Sequence, residues 1–132
     1  MLPTWPSGTP AVLCVTGPHA IPVSSYVRAA DDRIVVALGA RRETLARLRE
    51  DTSVAFCVLG EGVAFTAHCR ASVARESLDA APANAAVALV VERVQDHLAD
   101  GRTEMLDGAG WTWIDPEAAA LQPLILEELT RL

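Results

Sequence analysis

The 132-residue sequence contains no lysine, so its 11 basic residues are all arginine and face 17 aspartate and glutamate residues. The formal net charge is −6, and no stretch of the chain gathers the arginines into a basic run. This balance argues against binding to nucleic acid or to an anionic membrane surface. An anion bound by this chain must therefore meet a small local group of arginines.

Cysteines and long apolar runs are also scarce. Cys14, Cys57 and Cys69 are odd in number, lack Cys-x-x-Cys spacing and lie within apolar stretches, so we expect buried, reduced thiols. No apolar run is long enough to span a membrane, and the N-terminus lacks the basic and apolar regions of a signal peptide. We therefore expect a cytoplasmic protein.

The composition is that of one globular domain spanning residues 1–132, with 51% hydrophobic and 21% charged residues. A folded chain of this length buries roughly two-thirds of its unfolded surface. One hydrophobic core should therefore hold the fold together without a metal or a disulfide.

Apolar residues recur with the two-residue period of β-strands through much of the chain. Strands are predicted at 11–16, 21–27, 33–38, 54–59 and 63–75. The first two are expected to form a hairpin across the turn Gly17-Pro18-His19. Segment 87–98 is ambiguous, because its valines fall at helical spacing although valine favours strands.

Helix signals appear in two places. Segment 43–50 consists of good helix formers with Leu45 and Leu48 three positions apart. Asp115-Pro116 is typical of a helix start, and that helix should run towards Leu132, with Pro123 favouring a kink or a break. Between them, residues 111–114 are predicted to form a short strand with Trp111 and Trp113 on one face.

From this pattern we predict a mostly β (α+β) fold. It is a six-stranded antiparallel barrel with a short helix after the third strand and a second helix at the C-terminus. Trp111 and Trp113 would then cover a ligand, lie in a subunit interface or close one end of the barrel.

The most informative stretch for function is Arg41-Arg42, which follows a strand directly and stands at the start of a helix, two residues before Thr44. Helix-start amides favour an anion, and arginine side chains match phosphate oxygens. The simpler alternative is that both arginines are solvated and pair with Glu43 or Asp51.

Four stretches together resemble the pyridoxamine 5′-phosphate oxidase-like, flavin-binding split-barrel family over roughly residues 11–97. Family members often contain a GxPHxxPV motif, a strand that ends in a basic pair, a short helix with an NPRVAL-like continuation, and a later strand. The matching stretches are GPHAIPVS (17–24), RIVVALGARR (33–42) leading into LARL (45–48), DTSVAF (51–56) and AHCRA (67–71).

The resemblance implies a homodimer of split barrels that holds FMN, or in some relatives the deazaflavin F420, in clefts between the subunits. By position, Arg41 and Arg42 correspond to the phosphate-binding pair. Pro22, Val23, Ser24 and Ser25 correspond to the residues that run beside the isoalloxazine ring. The resemblance also makes segment 87–98 a strand.

Two departures from the family pattern concern the phosphate. Ala40 replaces the serine that many members carry before the basic pair, and Ala37-Leu38-Gly39 offers no hydroxyl. Thr44 is the candidate to compensate.

Two hypotheses follow for the function. The first is an FMN- or F420-dependent oxidoreductase that acts on an unidentified small molecule. The second is a non-catalytic dimer that has lost the cofactor or binds another ligand such as heme. No catalytic residue is assigned, because the cofactor would carry the electrons. No metal site is predicted from His68, Cys69, His19 and Cys57, since adjacent strand residues face opposite sides.

Overall fold

The computed structural model describes all residues, 1–132, as seven strands and two helices. The strands are β1 (Ala11–Val15), β2 (His19–Val23), β3 (Tyr26–Ala30), β4 (Arg33–Gly39), β5 (Ser53–Gly60), β6 (Val63–Arg75) and β7 (Asn84–Asp96). The helices are α1 (Glu43–Glu50) and α2 (Pro116–Thr130). Neither helix combines the length and the apolar character needed to cross a membrane.

All seven strands form one antiparallel sheet in the order β2-β1-β5-β6-β7-β4-β3. β2 and β3 lie at opposite edges of this sheet, although only Ser24 and Ser25 separate them in sequence. The three backbone steps from Val23 to Tyr26 span roughly 11 Å at most, so the sheet must curl until its two edges are neighbours. The backbone N–H of Ala37 in β4 then donates to the Ser25 carbonyl at 2.9 Å. The result is a barrel that is split between β2 and the end of β4.

The predicted fold class is confirmed, with seven strands in place of six. Predicted segment 21–27 is two strands, because the chain leaves β1 at Val23 and joins β4 from Tyr26 onward. The hairpin of β1 and β2 is present, and the short helix consequently follows the fourth strand. The predicted strand at 111–114 is absent, because no backbone hydrogen bond joins this segment to an edge of the sheet and the Trp111 side chain bonds the Gly8 carbonyl instead.

The barrel interior holds the larger of two hydrophobic clusters. Buried and accessible side chains alternate most clearly in β6, where the residues predicted to face inward are all buried: Phe65, Ala67, Cys69 and Ala71. The outward neighbours in this strand, such as His68 and Arg70, remain accessible. The longest predicted strand therefore supplies one wall of the core.

A smaller cluster lies outside the barrel, where α2 packs on β3 and β4 and covers Ala86 of β7. It contains Val35 and Ala86 from the strands, Ile125 and Leu129 from α2, and Leu78 from the loop between β6 and β7. β7 is consequently buried on both faces along its first half, which explains its nearly continuous apolar sequence. This double burial is why periodicity alone left segment 87–98 ambiguous.

α2 begins as predicted. Asp115 is the N-cap, and its carboxylate accepts a hydrogen bond from the Glu117 backbone N–H at 2.9 Å. The helix continues through Pro123 without a break. Near its end, the buried Glu128 accepts hydrogen bonds from the backbone N–H groups of Asp79 and Ala80, both at 2.8 Å. α2 thereby holds the β6–β7 loop against the barrel.

The segment 102–113, here called the strap, returns from β7 to α2 across the end of the barrel without regular structure. The Gly62 backbone N–H donates to the Met105 carbonyl at 2.9 Å. At Gly108, an added Cβ would lie 2.7 Å from the Leu59 carbonyl oxygen, so only glycine permits this approach of two backbones. The strap is therefore fixed against the β5–β6 turn by backbone contacts.

Candidate functional site

The site begins where β4 ends and the chain turns into α1. The Ala40 backbone N–H donates to the Ala83 carbonyl at 2.8 Å, which ties this turn to the β6–β7 loop. Arg42 is the N-cap of α1, with an extended backbone and no side-chain hydrogen bond to the first helical amides. The N-terminus of α1 therefore keeps hydrogen-bond donors and the positive end of the helix dipole available to an anion.

Arg41 and Arg42 are both exposed, and neither forms an ion pair in the structure. The acidic partners considered for them are engaged elsewhere. Glu43 pairs with the Arg47 guanidinium at 2.8 Å, and the hydrogen bond from Arg47 lowers the pKa of the Glu43 carboxyl. Asp51 accepts hydrogen bonds from the Ser53 backbone N–H and the Thr16 hydroxyl. The two arginines thus carry positive charge that no carboxylate compensates.

Arg41 and Arg42 border a depression of about 600 Å³, here called the arginine depression, between the β4–α1 turn and the β6–β7 loop. Gly39 lies at its base, and a Cβ there would come within 3.1 Å of the Arg42 Cγ. The absent side chain at Gly39 therefore lets Arg42 fold back over the end of β4. This arrangement directs the guanidinium along the barrel surface and not away from it.

The arginine depression continues into a groove at the split of the barrel, because both are lined by Gly39, Arg42 and Asn84. This split groove has a volume of about 210 Å³ and runs between β2 and the end of β4. Its lining includes four residues assigned by resemblance to the ring of a flavin: Pro22, Val23, Ser24 and Ser25. The structure thus brings these four residues and Arg42 to one surface, with Arg41 alongside.

Thr44 lies apart from this surface. Its side chain is buried, and its hydroxyl is 2.9 Å from the Nε2 atom of His19. His19 is the first residue of β2, and its Nδ1 atom lies 3.8 Å from the Glu43 carboxylate. Thr44 therefore fixes α1 to β2 and lines neither the split groove nor the arginine depression.

The structure gives Trp111 and Trp113 different surroundings. Their rings touch edge to face, with centroids 5.4 Å apart and an interplanar angle of 82°. Trp113 lines the split groove, whereas the Trp111 indole N–H donates to the Gly8 carbonyl at 2.7 Å on the other side. Trp113 is therefore the residue of the pair that can cover a ligand in the split groove.

Two residues near the split groove had no signal in the sequence. Asn84 lines the groove because it pairs with Gly39 at the start of β7. Gln122 of α2 accepts a hydrogen bond from the Ser25 hydroxyl at 2.7 Å, and its amide nitrogen donates to the Ser24 carbonyl at 3.4 Å. Gln122 thus holds the β2–β3 connection from a position 97 residues away in sequence.

The imidazole and thiol side chains are not arranged as a metal centre, and no group of three His, Cys, Asp or Glu residues could hold an ion. His68 faces outward and is 2.7 Å from the Gln95 side-chain oxygen. Cys69 faces the core, where burial raises the pKa of its thiol to about 12. The Cys69 thiol is therefore a packing group and not a nucleophile.

Solved structures with the same fold include flavin reductases and candidate pyridoxamine 5′-phosphate oxidases. A candidate pyridoxamine 5′-phosphate oxidase from Listeria innocua has a TM-score of 0.55 at 12% identity, covering 67% of this chain and 88% of that one. The styrene monooxygenase flavin reductase of Pseudomonas putida S12 has a TM-score of 0.54 at 13% identity, covering 68% and 81%. HupZ of Group A Streptococcus has a TM-score of 0.59 at 12% identity, covering 77% and 90%.

At these identities the likeness is one of fold, and it confirms the split-barrel fold implied by the sequence resemblance. No family model and no curated protein matches the sequence.

Proposed function

We propose that this protein binds FMN with its ring in the split groove and its phosphate on Arg41 and Arg42, and that it is an oxidoreductase acting on a small molecule. One observation carries the proposal. Two guanidinium groups without carboxylate partners stand at an uncapped helix start, beside a groove lined by Pro22, Val23 and Ser24. F420 is the alternative cofactor, because it also combines a flat ring with a phosphate.

The residues present suit both ends of such a ligand. Arg41 and Arg42 offer guanidinium donors to the phosphate, and the first amides of α1 add further donors. Pro22 and Val23 provide apolar contact for a ring, and Trp113 supplies an aromatic surface at the same groove. When bound, the flavin would supply the electron chemistry, so the chain's task is to bind and orient it.

We also propose that the protein acts as a homodimer. The outer face of β1 and β5 carries accessible apolar side chains, with Val12 at 40% and Leu59 at 50% exposure, Cys57 opposite Val12 and Cys14 two positions further along β1. The resemblance implies a homodimer, and we propose that a second copy covers this face. Light scattering of the wild type and of Leu59→Glu tests this point, with a dimer expected for the first and a monomer for the second.

A second candidate function is a dimeric barrel that has lost the flavin or binds heme in its place. It is favoured by the absence of any hydroxyl donor beside the arginines. Ala40 has none, and the Thr44 hydroxyl is buried against His19. The phosphate would then depend on guanidinium groups and backbone amides alone.

The absorption spectrum of the purified protein, followed by titration with FMN, F420 and hemin, separates these candidates. FMN or F420 is expected to bind with micromolar or better affinity. Arg41→Gln and Arg42→Gln should each weaken that binding about tenfold or more, because each removes a charge-assisted hydrogen bond. Arg102→Gln in the strap is the matched control and should change nothing.

The proposal fails if neither FMN nor F420 binds at about 100 μM. It also fails if both arginine variants bind the cofactor with the affinity of the wild type. Selective binding of hemin would establish the second candidate instead.

A further inference from the structure

A second groove, here called the aromatic groove, runs along the free edge of β3 and is distinct from the split groove. It has a volume of about 450 Å³, which falls in the range of small-molecule sites. Three aromatic side chains contribute to its lining, Trp5, Tyr26 and Trp111, together with Arg28, Gln122 and Leu126. The N-terminal segment, β3, the strap and α2 thus each supply a wall.

The polar atoms of the aromatic residues are already bonded within the protein. The Trp5 indole N–H donates to the Tyr26 hydroxyl at 2.9 Å, and that hydroxyl donates to the Thr9 carbonyl at 2.5 Å. The Trp111 indole N–H is held by the Gly8 carbonyl. Trp5 also packs on Phe65, with centroids 5.1 Å apart. The aromatic groove therefore offers fixed ring surfaces rather than free hydrogen-bond donors, which suits a flat aromatic ligand.

Arg28 supplies the charge of the aromatic groove. Its Nε and Nη2 atoms donate to the backbone carbonyls of Pro3 and Leu2, both at 3.0 Å, and its Nη1 atom has no partner. No carboxylate pairs with Arg28, and no aspartate or glutamate lines the groove. The net charge of the lining is therefore positive in a protein whose overall charge is −6.

We propose that the aromatic groove is a second small-molecule site, which takes a planar aromatic anion such as an aryl carboxylate. The rings would contact the aromatic part, and the carboxylate would pair with Arg28. The proposal does not depend on flavin binding, because Ser24 is the only residue that lines both grooves.

Calorimetric titration of the full-length protein with 2-naphthoate tests this proposal. Two comparison compounds are 2-naphthalenemethanol, which lacks the charge, and cyclohexanecarboxylate, which lacks the aromatic ring. Saturable binding of 2-naphthoate is expected, with both comparison compounds at least tenfold weaker. Arg28→Gln should weaken 2-naphthoate about tenfold or more and leave 2-naphthalenemethanol unchanged.

Variants of residues that belong to only one of the two proposed sites provide the matched control. Trp111→Leu should weaken the binding of 2-naphthoate roughly threefold to tenfold, whereas Arg41→Gln and Arg42→Gln should leave it unchanged. FMN titration of Arg28→Gln, Arg41→Gln and Arg42→Gln should give the reverse pattern, which separates failure of this site from failure of the proposed flavin site. Arg28→Lys, which keeps the charge, should recover part of the affinity if Arg28→Gln proves unstable.

Three results would overturn the proposal. The first is a dissociation constant for 2-naphthoate above millimolar in the wild type. The second is an equal loss of affinity for 2-naphthoate and for 2-naphthalenemethanol in Arg28→Gln, which would mean that Arg28 only shapes the groove. The third is unchanged 2-naphthoate binding in both Arg28→Gln and Trp111→Leu.

Discussion

Replacing Leu129 with alanine should destabilise the fold by about 2–3 kcal/mol, because the docking of α2 depends on a small cluster of side chains. Leu129 has no exposed surface and packs with Val35, Leu78, Ala86 and Ile125. A buried leucine-to-alanine change costs roughly 2–5 kcal/mol, and the lower half of this range applies where a helix on the outside of the core can settle into the cavity. At about 3–4 °C per kcal/mol for a domain of this size, the melting temperature should fall by about 10 °C.

The assay is thermal and urea unfolding followed by circular dichroism, with Leu124→Ala as the matched control. Leu124 lies on the same helix but is 52% exposed, so its truncation should change the unfolding free energy by less than about 0.5 kcal/mol. Equal effects of the two substitutions, or a loss below about 1 kcal/mol for Leu129→Ala, would refute the docking of α2 described above. Because α2 carries Gln122, which bonds Ser24 and Ser25, FMN affinity should fall in Leu129→Ala as well.

Three further predictions concern other parts of the chain. Hydrogen bonds from the Ala80 and Asp79 backbone lower the pKa of Glu128 below its usual 4.5, so its stabilisation is present above pH 4.5 and is lost as the pH falls through the lowered native value. Urea midpoints should therefore differ between the wild type and Glu128→Gln at pH 7, and this difference should shrink progressively as the pH is lowered below 4.5; a difference that stays constant with pH contradicts this. Gly108→Ala should lower the free energy of unfolding in urea by about 1–3 kcal/mol, because its Cβ would clash with the Leu59 carbonyl. Gly110→Ala is the control and should change this free energy little, since the space around Gly110 is open. Equal losses of stability in the two variants would exclude the close contact at Gly108. Cys69 should react with a thiol reagent at pH 8 only after unfolding, because its pKa is about 12 and it is buried; modification of Cys69 in the native protein, detected by mass spectrometry, would be inconsistent with the burial.

The limits of the sequence are clearest at the β2–β3 connection. Periodicity placed a strand over 21–27, because Val23, Tyr26 and Val27 all favour strands. The first half pairs with β1 and the second half with β4, at opposite edges of the sheet. No local sequence pattern marks the point at which the chain changes partners. The tryptophans at 111 and 113 show the same limit. Alternation suggested a strand, but the strap forms no backbone pairing with either sheet edge and is held at Trp111 by a side-chain hydrogen bond to the Gly8 carbonyl.

The candidate site could be predicted only in part, because some of its residues come together through contacts that are distant in sequence. Arg41, Arg42 and residues 22–25 stood out through their order along the chain, and the structure places them on one continuous surface. Thr44 was expected beside the arginines on sequence distance alone. Its hydroxyl instead faces His19, because the first turn of α1 packs Thr44 and Leu45 inward. Asn84 and Gln122 reach the groove only through strand pairing and helix docking.

Short-range chemistry in the sequence determined most of the strands, both helices, the Asp115 cap and the two arginines at the start of α1, since each depends on residues a few positions apart. The tertiary structure alone decided which strand edges meet, which face of β7 lies beneath α2, and which side chains enter each groove. Those outcomes depend on contacts between residues as far apart as Ser25 and Gln122, which are fixed only when the whole sheet closes.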